Sequence, residues 1–396
     1  MRSLSGSDTC HWACVITFCF VSISPLLVYG NDQPERQVVP SYWSYTGAVW
    51  VGGINDDNIY GVSEEPTEDQ ILRVTPAVGL NYLSRQFDIR ASHQFDSDSY
   101  SENSDLDNYT ARRDTTVDVE YMATRRLSLG MNASSAATDT PRDLVPEMGI
   151  ERGRARAERD SAAVRQGYRW TPGVESNLLL EYVEQDVEGF TSGNSKLASF
   201  ELEFMVGPRG STTVMLENFR QSFQGGFTEE SNALFVGRSH QISRQSDIEF
   251  LAGVRKIGDE NVSEWSARFG HVYQSGEIRA RYAKSYANVI GMTGLSDFET
   301  LEVSLDYLPT SRLRLSLVPA YVRTGRRAGI PVDMKRATAG LEFEFSQSTS
   351  LTFSYDWSKQ TDRSPGEGDG DIDRNVVALG IRHYFLRNLS REQEER

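Results

Sequence analysis

The chain has 396 residues, with 56 Asp and Glu against 41 Lys and Arg, a net charge of -15 and a mean hydropathy of -0.47. That balance excludes general nucleic-acid binding, which needs a basic surface. All three cysteines (Cys10, Cys14, Cys19) sit near the N-terminus, so the rest of the chain has no disulfide framework, thiolate metal site or thiol nucleophile.

Residues 1–30 read as a cleaved signal peptide. Arg2 supplies an n-region charge, Trp12 to Val28 the apolar core, and Val28-Tyr29-Gly30 a cleavage site. Residues 31–42 follow as a short periplasmic segment. Beyond the leader no apolar run approaches the roughly 20 residues of a membrane helix. From 43 to 385 the hydrophobic period is two, the period of a strand with two unlike faces.

In chain order, Leu72, Val74, Val78, Leu80 and Tyr82 share one face, as do Val117, Val119 and Tyr121, then Val164, Tyr168 and Trp170. Phe200, Leu202 and Phe204 repeat the pattern, as do Trp265, Phe269 and Tyr273, and Leu301, Val303, Leu305 and Tyr307. Leu341, Phe343 and Phe345 precede the last run, Val377, Leu379, Ile381 and Phe385. Each apolar row ends in an aromatic, and only the stretch Leu234 to Ile242 fails to fit. Counting by alternation gives about 18 strands. An oily row against a charged row along a whole chain is the pattern of an all-β, antiparallel, up-and-down transmembrane barrel.

Short polar or Pro/Gly turns follow the aromatics, among them Thr171-Pro172-Gly173, Gly207-Pro208-Arg209-Gly210 and Pro309-Thr310-Ser311. The other connections are longer and richer in Asp, Glu, Gly and Asn: 53–69, 97–107, 137–158, 224–230, 287–296, 324–333 and 360–371. This asymmetry puts the short turns in the periplasm and the long loops outside. The aromatics before the turns form the periplasmic girdle, with Tyr182, Phe219, Tyr282, Tyr321 and Trp357 at the opposite rim. Segment 145–160, with Arg152, Arg154, Arg156 and Arg159, is open between basic loop, short helix and strand. Gly380, Ile381, His383 and Phe385 lie in the last strand and read as the signal for barrel-assembly machinery, with 386–396 a periplasmic polar tail.

The row opposite the aromatics faces the lumen and carries Arg90, Asp118, Glu120, Arg165, Arg169, Arg268, Arg279, Arg281, Glu302, Asp306, Arg312, Arg314, Glu342 and Glu344. Acidic and basic strands alternate, so cross-strand pairs stiffen the wall or line a selectivity path. Arginine forks match carboxylate or phosphate groups on a polymer. His93, His271 and His383 fall on or near apolar rows, and no nucleophile–base set is present, so no enzyme is expected. No cofactor or metal is expected. The run Asp369, Asp371, Asp373 has the initial spacing of a calcium loop but lacks its glycine.

One region goes beyond barrel rhythm. Asp57-Asn58-Ile59-Tyr60 precedes a strand from Asp69 to Leu80 with Pro76 in its middle, then Phe87 to Phe95, then Asn108-Tyr109. This region resembles the β-barrel porins encoded with exopolysaccharide operons, the EpsL-like and PEP-CTERM/exosortase-associated outer-membrane barrels. The resemblance implies a conduit in exopolysaccharide export or biosynthesis, with periplasmic polysaccharide export or synthesis proteins and the polysaccharide as partners; outer-membrane lipid and the assembly machinery are the partners the barrel pattern itself implies. It carries over no catalytic residue. Two other readings stay open: a general or small-solute diffusion porin, and a structural or adhesive barrel whose acidic loops bind cations.

Overall fold

The computed structural model describes residues 41–144, 153–288, 294–325, 331–362 and 371–388. The expected leader and the N-terminal segment before Ser41 lie outside that range, as do Asp369 and the tail from 389.

Eighteen strands form one closed antiparallel sheet in which each strand pairs with its sequence neighbours and β1 pairs with β18. They are β1 Tyr42–Asp56, β2 Asp69–Leu83, β3 Phe87–Tyr100, β4 Asn108–Met122, β5 Leu127–Thr138 and β6 Ala157–Thr171. Next come β7 Val174–Val187, β8 Gly193–Met205, β9 Gly210–Phe223, β10 Thr228–Gln241, β11 Ser246–Ile257 and β12 Glu260–Tyr273. The remainder are β13 Gly276–Asn288, β14 Leu295–Thr310, β15 Leu313–Thr324, β16 Val332–Ser346, β17 Thr349–Asp362 and β18 Ile372–Asn388. Closure leaves no strand edge unpaired, which is what lets a sheet stand in a solvent that cannot hydrogen-bond.

One expected boundary moves, and one stretch that broke the pattern falls into place. The last strand runs to Asn388, three residues past 385, because its backbone still has β1 to pair with: Thr46 faces Leu386 and Ser44 faces Asn388. Leu234 to Ile242, which broke the alternation, belongs to an ordinary strand, β10. Leu234 and Val236 point outward, but the inward row beside them is Ala233, Phe235 and Gly237. Apolar residues on both faces hide the period of two. In segment 145–160 the end of the stretch is strand, from Ala157.

Both described chain ends and eight connections of two to four residues lie on one rim; the long loops lie on the other. The loop rim is uneven. Between β11 and β12 it is only Gly258-Asp259, with Gly258 at φ 58°, a left-handed conformation that glycine adopts without strain.

The closing seam is fixed at the loop rim by the Asp57-Asn58-Ile59-Tyr60 region. Arg374 at the start of β18 donates to buried Asp56 at 2.6 Å, and Asn375 donates to Asp57 through backbone and side chain, both at 2.7 Å. Asn58, fully enclosed, donates to the carbonyls of Val62 and Asp373 and accepts from the Val62 N–H. Ile59 packs in a cluster with Ile54, Ile71 and Tyr100. The motif is therefore a clasp that holds β1 against β18. Pro76 has no N–H to give, so the ladder to β3 skips Thr75 and Pro76 without changing register; the Thr75 hydroxyl instead donates to Asp96 at 2.6 Å.

Candidate functional site

Register assigns every side chain to a face. Outward rows carry Leu72, Val78, Met131, Val164, Leu180, Leu216, Leu234, Val254, Leu301, Leu379 and Ile381, all exposed. Aromatics follow them at the turn rim and pair across strands, Trp43 with Tyr82 at 4.6 Å and Phe87 with Tyr121 at 4.5 Å, or along one strand, Tyr168 with Trp170 at 4.7 Å on β6. An exposed apolar band ending in an aromatic girdle is a surface made for lipid. Tyr182, Tyr282, Tyr321 and Trp357 share these rows, but Phe219 does not: it stands opposite Leu197 on the inward face.

Of the residues expected in the lumen, all but Arg312 stand on inward rows of strands. Arg312 sits in the turn before β15, where its carbonyl accepts from Glu344 N–H. Arg90 pairs with Asp88 and faces Asp118 in register, with Asp88 facing Glu120. Arg169 meets Glu175 at 3.5 Å, Arg268 meets Glu249 at 3.1 Å and Arg314 meets Asp306 at 3.2 Å. Arg279 pairs with Glu277, while Arg281 faces Glu302 on one side and Arg268 on the other. Glu342 accepts from Ser350 at 2.7 Å and lies 4.0 Å from Arg382. Gly380 faces Gly52 on the inner row, whereas Ile381, His383 and Phe385 face outward; His383 bonds Thr349 at 3.0 Å. Asp371 and Asp373 both turn to Lys359, at 2.8 and 3.7 Å. No group of three or more candidate metal ligands is found among the described residues.

Within the lumen a cavity of about 960 Å³ runs along the wall from β4 to β15. Eight inward carboxylates line it, Asp118, Glu120, Glu175, Glu181, Glu201, Glu217, Glu264 and Glu302, against four inward arginines, Arg159, Arg165, Arg255 and Arg281. The lumen is thus acidic along this wall. The wall also has an apolar strip that alternation could not reveal: Leu179, Leu197, Met215, Phe219, Phe235 and Leu251. The ring of Phe235 lies over Gly253, where a Cβ would collide with it. Beside it Arg255 is held by Glu264, by Glu217 at 2.8 Å and by Ser231 at 3.2 Å, its guanidinium 5.8 Å from the Phe235 ring.

The lumen differs between its two halves. Toward the loop rim the inward residues Asp98, Val187, Gln221, Phe223, Ile257, Phe298 and Met334 are buried. Toward the turn rim Arg90, Glu120, Arg279, Arg314 and Glu344 are exposed. Near the loop rim Glu229 of β10 accepts the backbone N–H of Leu295 on β14 at 2.6 Å, a bond that skips three intervening strands.

A closed barrel with lipid-facing apolar rows and a charged interior defines a transmembrane β-barrel of the outer-membrane type. No family model and no curated protein matches the chain. Among solved structures it is similar to the siderophore receptor PirA from Acinetobacter baumannii, at 8% identity and TM-score 0.48, over 87% of this chain and 80% of that one. PirA from Pseudomonas aeruginosa gives 11% and 0.45, over 86% and 80%. OccAB4 from Acinetobacter baumannii gives 9% and 0.42, over 87% and 98%.

Proposed function

We propose that this protein is a non-enzymatic saccharide conduit of the outer membrane, passing exopolysaccharide delivered by periplasmic export or synthesis proteins. The observation that carries the reading is the mixed wall of the cavity. Sugars present apolar C–H faces and a rim of hydroxyls; the strip from Leu179 to Leu251 suits the faces, and Glu120, Glu175 and Glu201 suit the hydroxyls. The resemblance of residues 57–109 to barrels of exopolysaccharide operons supports the same reading. A second reading, a porin for small solutes, is favoured by the Glu229–Leu295 bond, which ties β10 to β14 at the loop side of the lumen.

Conductance in planar bilayers separates a pore from a structural barrel, since a sealed barrel carries no current. Deleting the gene separates the two transport readings. The conduit reading expects secreted polysaccharide to fall while periplasmic polymer accumulates; unchanged secretion with slower uptake of small sugars supports the porin instead.

A further inference from the structure

Outside the cavity, one inward aromatic is held between the buried seam cluster of Ile54, Ile59, Ile71 and Tyr100 and the lumen. Trp50 stands on β1 at the closing seam. Its indole lies flat over Gly52 and over Gly380 of β18, where a methyl group at either position would collide with the ring. The Nε1–H donates to the Thr352 hydroxyl of β17 at 2.7 Å. Three strands thus fix one ring against the wall, and the residue remains partly exposed. The other described tryptophans, Trp43, Trp170, Trp265 and Trp357, stand on outward rows.

Just below the ring, toward the turn rim, Arg382 faces Trp50 in register. Its guanidinium lies 4.0 Å from Glu342 and 3.4 Å from the Tyr384 hydroxyl, and its side chain is 40% exposed. A charge-paired guanidinium at that distance keeps donors to spare, since the fork has five. Beneath a ring fixed by packing and one hydrogen bond, the site holds a planar donor, a carboxylate acceptor and a phenolic hydroxyl. We infer that Trp50, with Arg382 and Glu342, forms a binding subsite for a neutral pyranose unit, the indole stacking on the C–H face and the charged pair bonding ring hydroxyls. A flat aromatic face is a large apolar contact with little entropy left to lose. Direct apposition of Gly52 to Gly380 is what lets the ring approach the wall.

This subsite rests on the saccharide reading of the lumen, and its test separates the two. Full-length protein in detergent is titrated with a neutral glucan hexasaccharide while indole emission is followed. The same sugar is added to single channels in bilayers, with a neutral polyethylene glycol of equal size as control. The subsite predicts saturable emission change and current block by the sugar but not by the glycol. It further predicts that Trp50→Ala raises the half-blocking concentration about tenfold, the size of one good aromatic contact. Trp50→Phe abolishes the emission change. Thr352→Val, which frees the indole while leaving the ring in place, weakens block several-fold with unaltered heat-modified gel migration, and so reports even if the alanine variant does not fold. Equal block of wild type, Trp50→Ala and Thr352→Val rejects the subsite and leaves the conduit standing. No current, but a saturable emission change lost in Trp50→Phe, rejects the conduit and leaves the subsite standing. Neither current nor emission change rejects both.

Discussion

Asp56 and Arg374 meet at the seam with both side chains buried, 318 positions apart in sequence. A buried carboxylate with a bidentate arginine is stable only as a pair; removing one partner strands the other charge, at a cost of about 3–5 kcal/mol. Asp56→Ala is expected to lower the urea midpoint of the folded barrel markedly, whereas exposed Arg90→Ala is expected to change it little. Asp69, at the loop end of β2 and beyond the apolar band, tests a different term. Burial works to raise its pKa, but hydrogen bonds from Ser101, Asn103 and the backbone N–H groups of Glu102 and Asn103 outweigh burial and hold the carboxyl well below the usual carboxylate range. A depressed folded value means the contribution is fully present above the unfolded pKa of about 3.9 and fades as pH falls toward the lower folded value. Urea midpoints measured against pH should show Asp69→Asn less stable than wild type at neutral pH, with the gap closing in acid. A constant gap down to the acid limit would contradict the linkage.

Strand β10 gives the sharpest test of face assignment because its neighbours in sequence point opposite ways. Leu234→Arg places a charge against hydrocarbon and is expected to cost about 2–4 kcal/mol if near the midplane, visible as lost folding into vesicles. Ser239→Arg, on the inward row of the same strand, turns its charge toward the open part of the lumen; it is expected to fold and to change channel conductance. Equal effects of the two would overturn the register. The same strand shows what sequence could and could not supply. Strands with a charged inner row, such as the Glu342–Glu344 strand, declare their period, and with it the even count and the two unlike rims. Where the lumen itself is apolar, along Leu197, Phe219, Phe235 and Leu251, two oily faces leave no alternation to read. Phe219 was expected at the loop-side girdle for that reason. Nor does any local pattern announce that Trp50 rests on two glycines more than 300 positions apart.

Across the whole molecule the charge balance of the cavity points one way. Inward carboxylates exceed inward arginines, and several of the arginines are already engaged by acids. Fields from such a wall attract cations and repel anions within about one Debye length, roughly 8–10 Å near physiological salt. Reversal potentials in a potassium chloride gradient are expected to show preference for potassium, weakened in Glu181→Gln/Glu201→Gln and flattened at molar salt. An anion-selective current would contradict this. For the proposed conduit the same balance narrows the choice of cargo: arginine forks match anionic groups on a polymer, yet an acidic lumen favours neutral or cationic sugars over strongly anionic ones.

The seam also bears on how the chain comes to exist as a barrel at all. Every other hairpin pairs segments close in sequence, but β1 finds its second partner only when the final strand has been made. Contacts of such separation form slowly, since the longest loop closure must be completed before they stabilise anything. A truncation that loses β18 therefore leaves no smaller pore. It leaves an open sheet with two bare edges, the form of the chain most prone to pair with copies of itself.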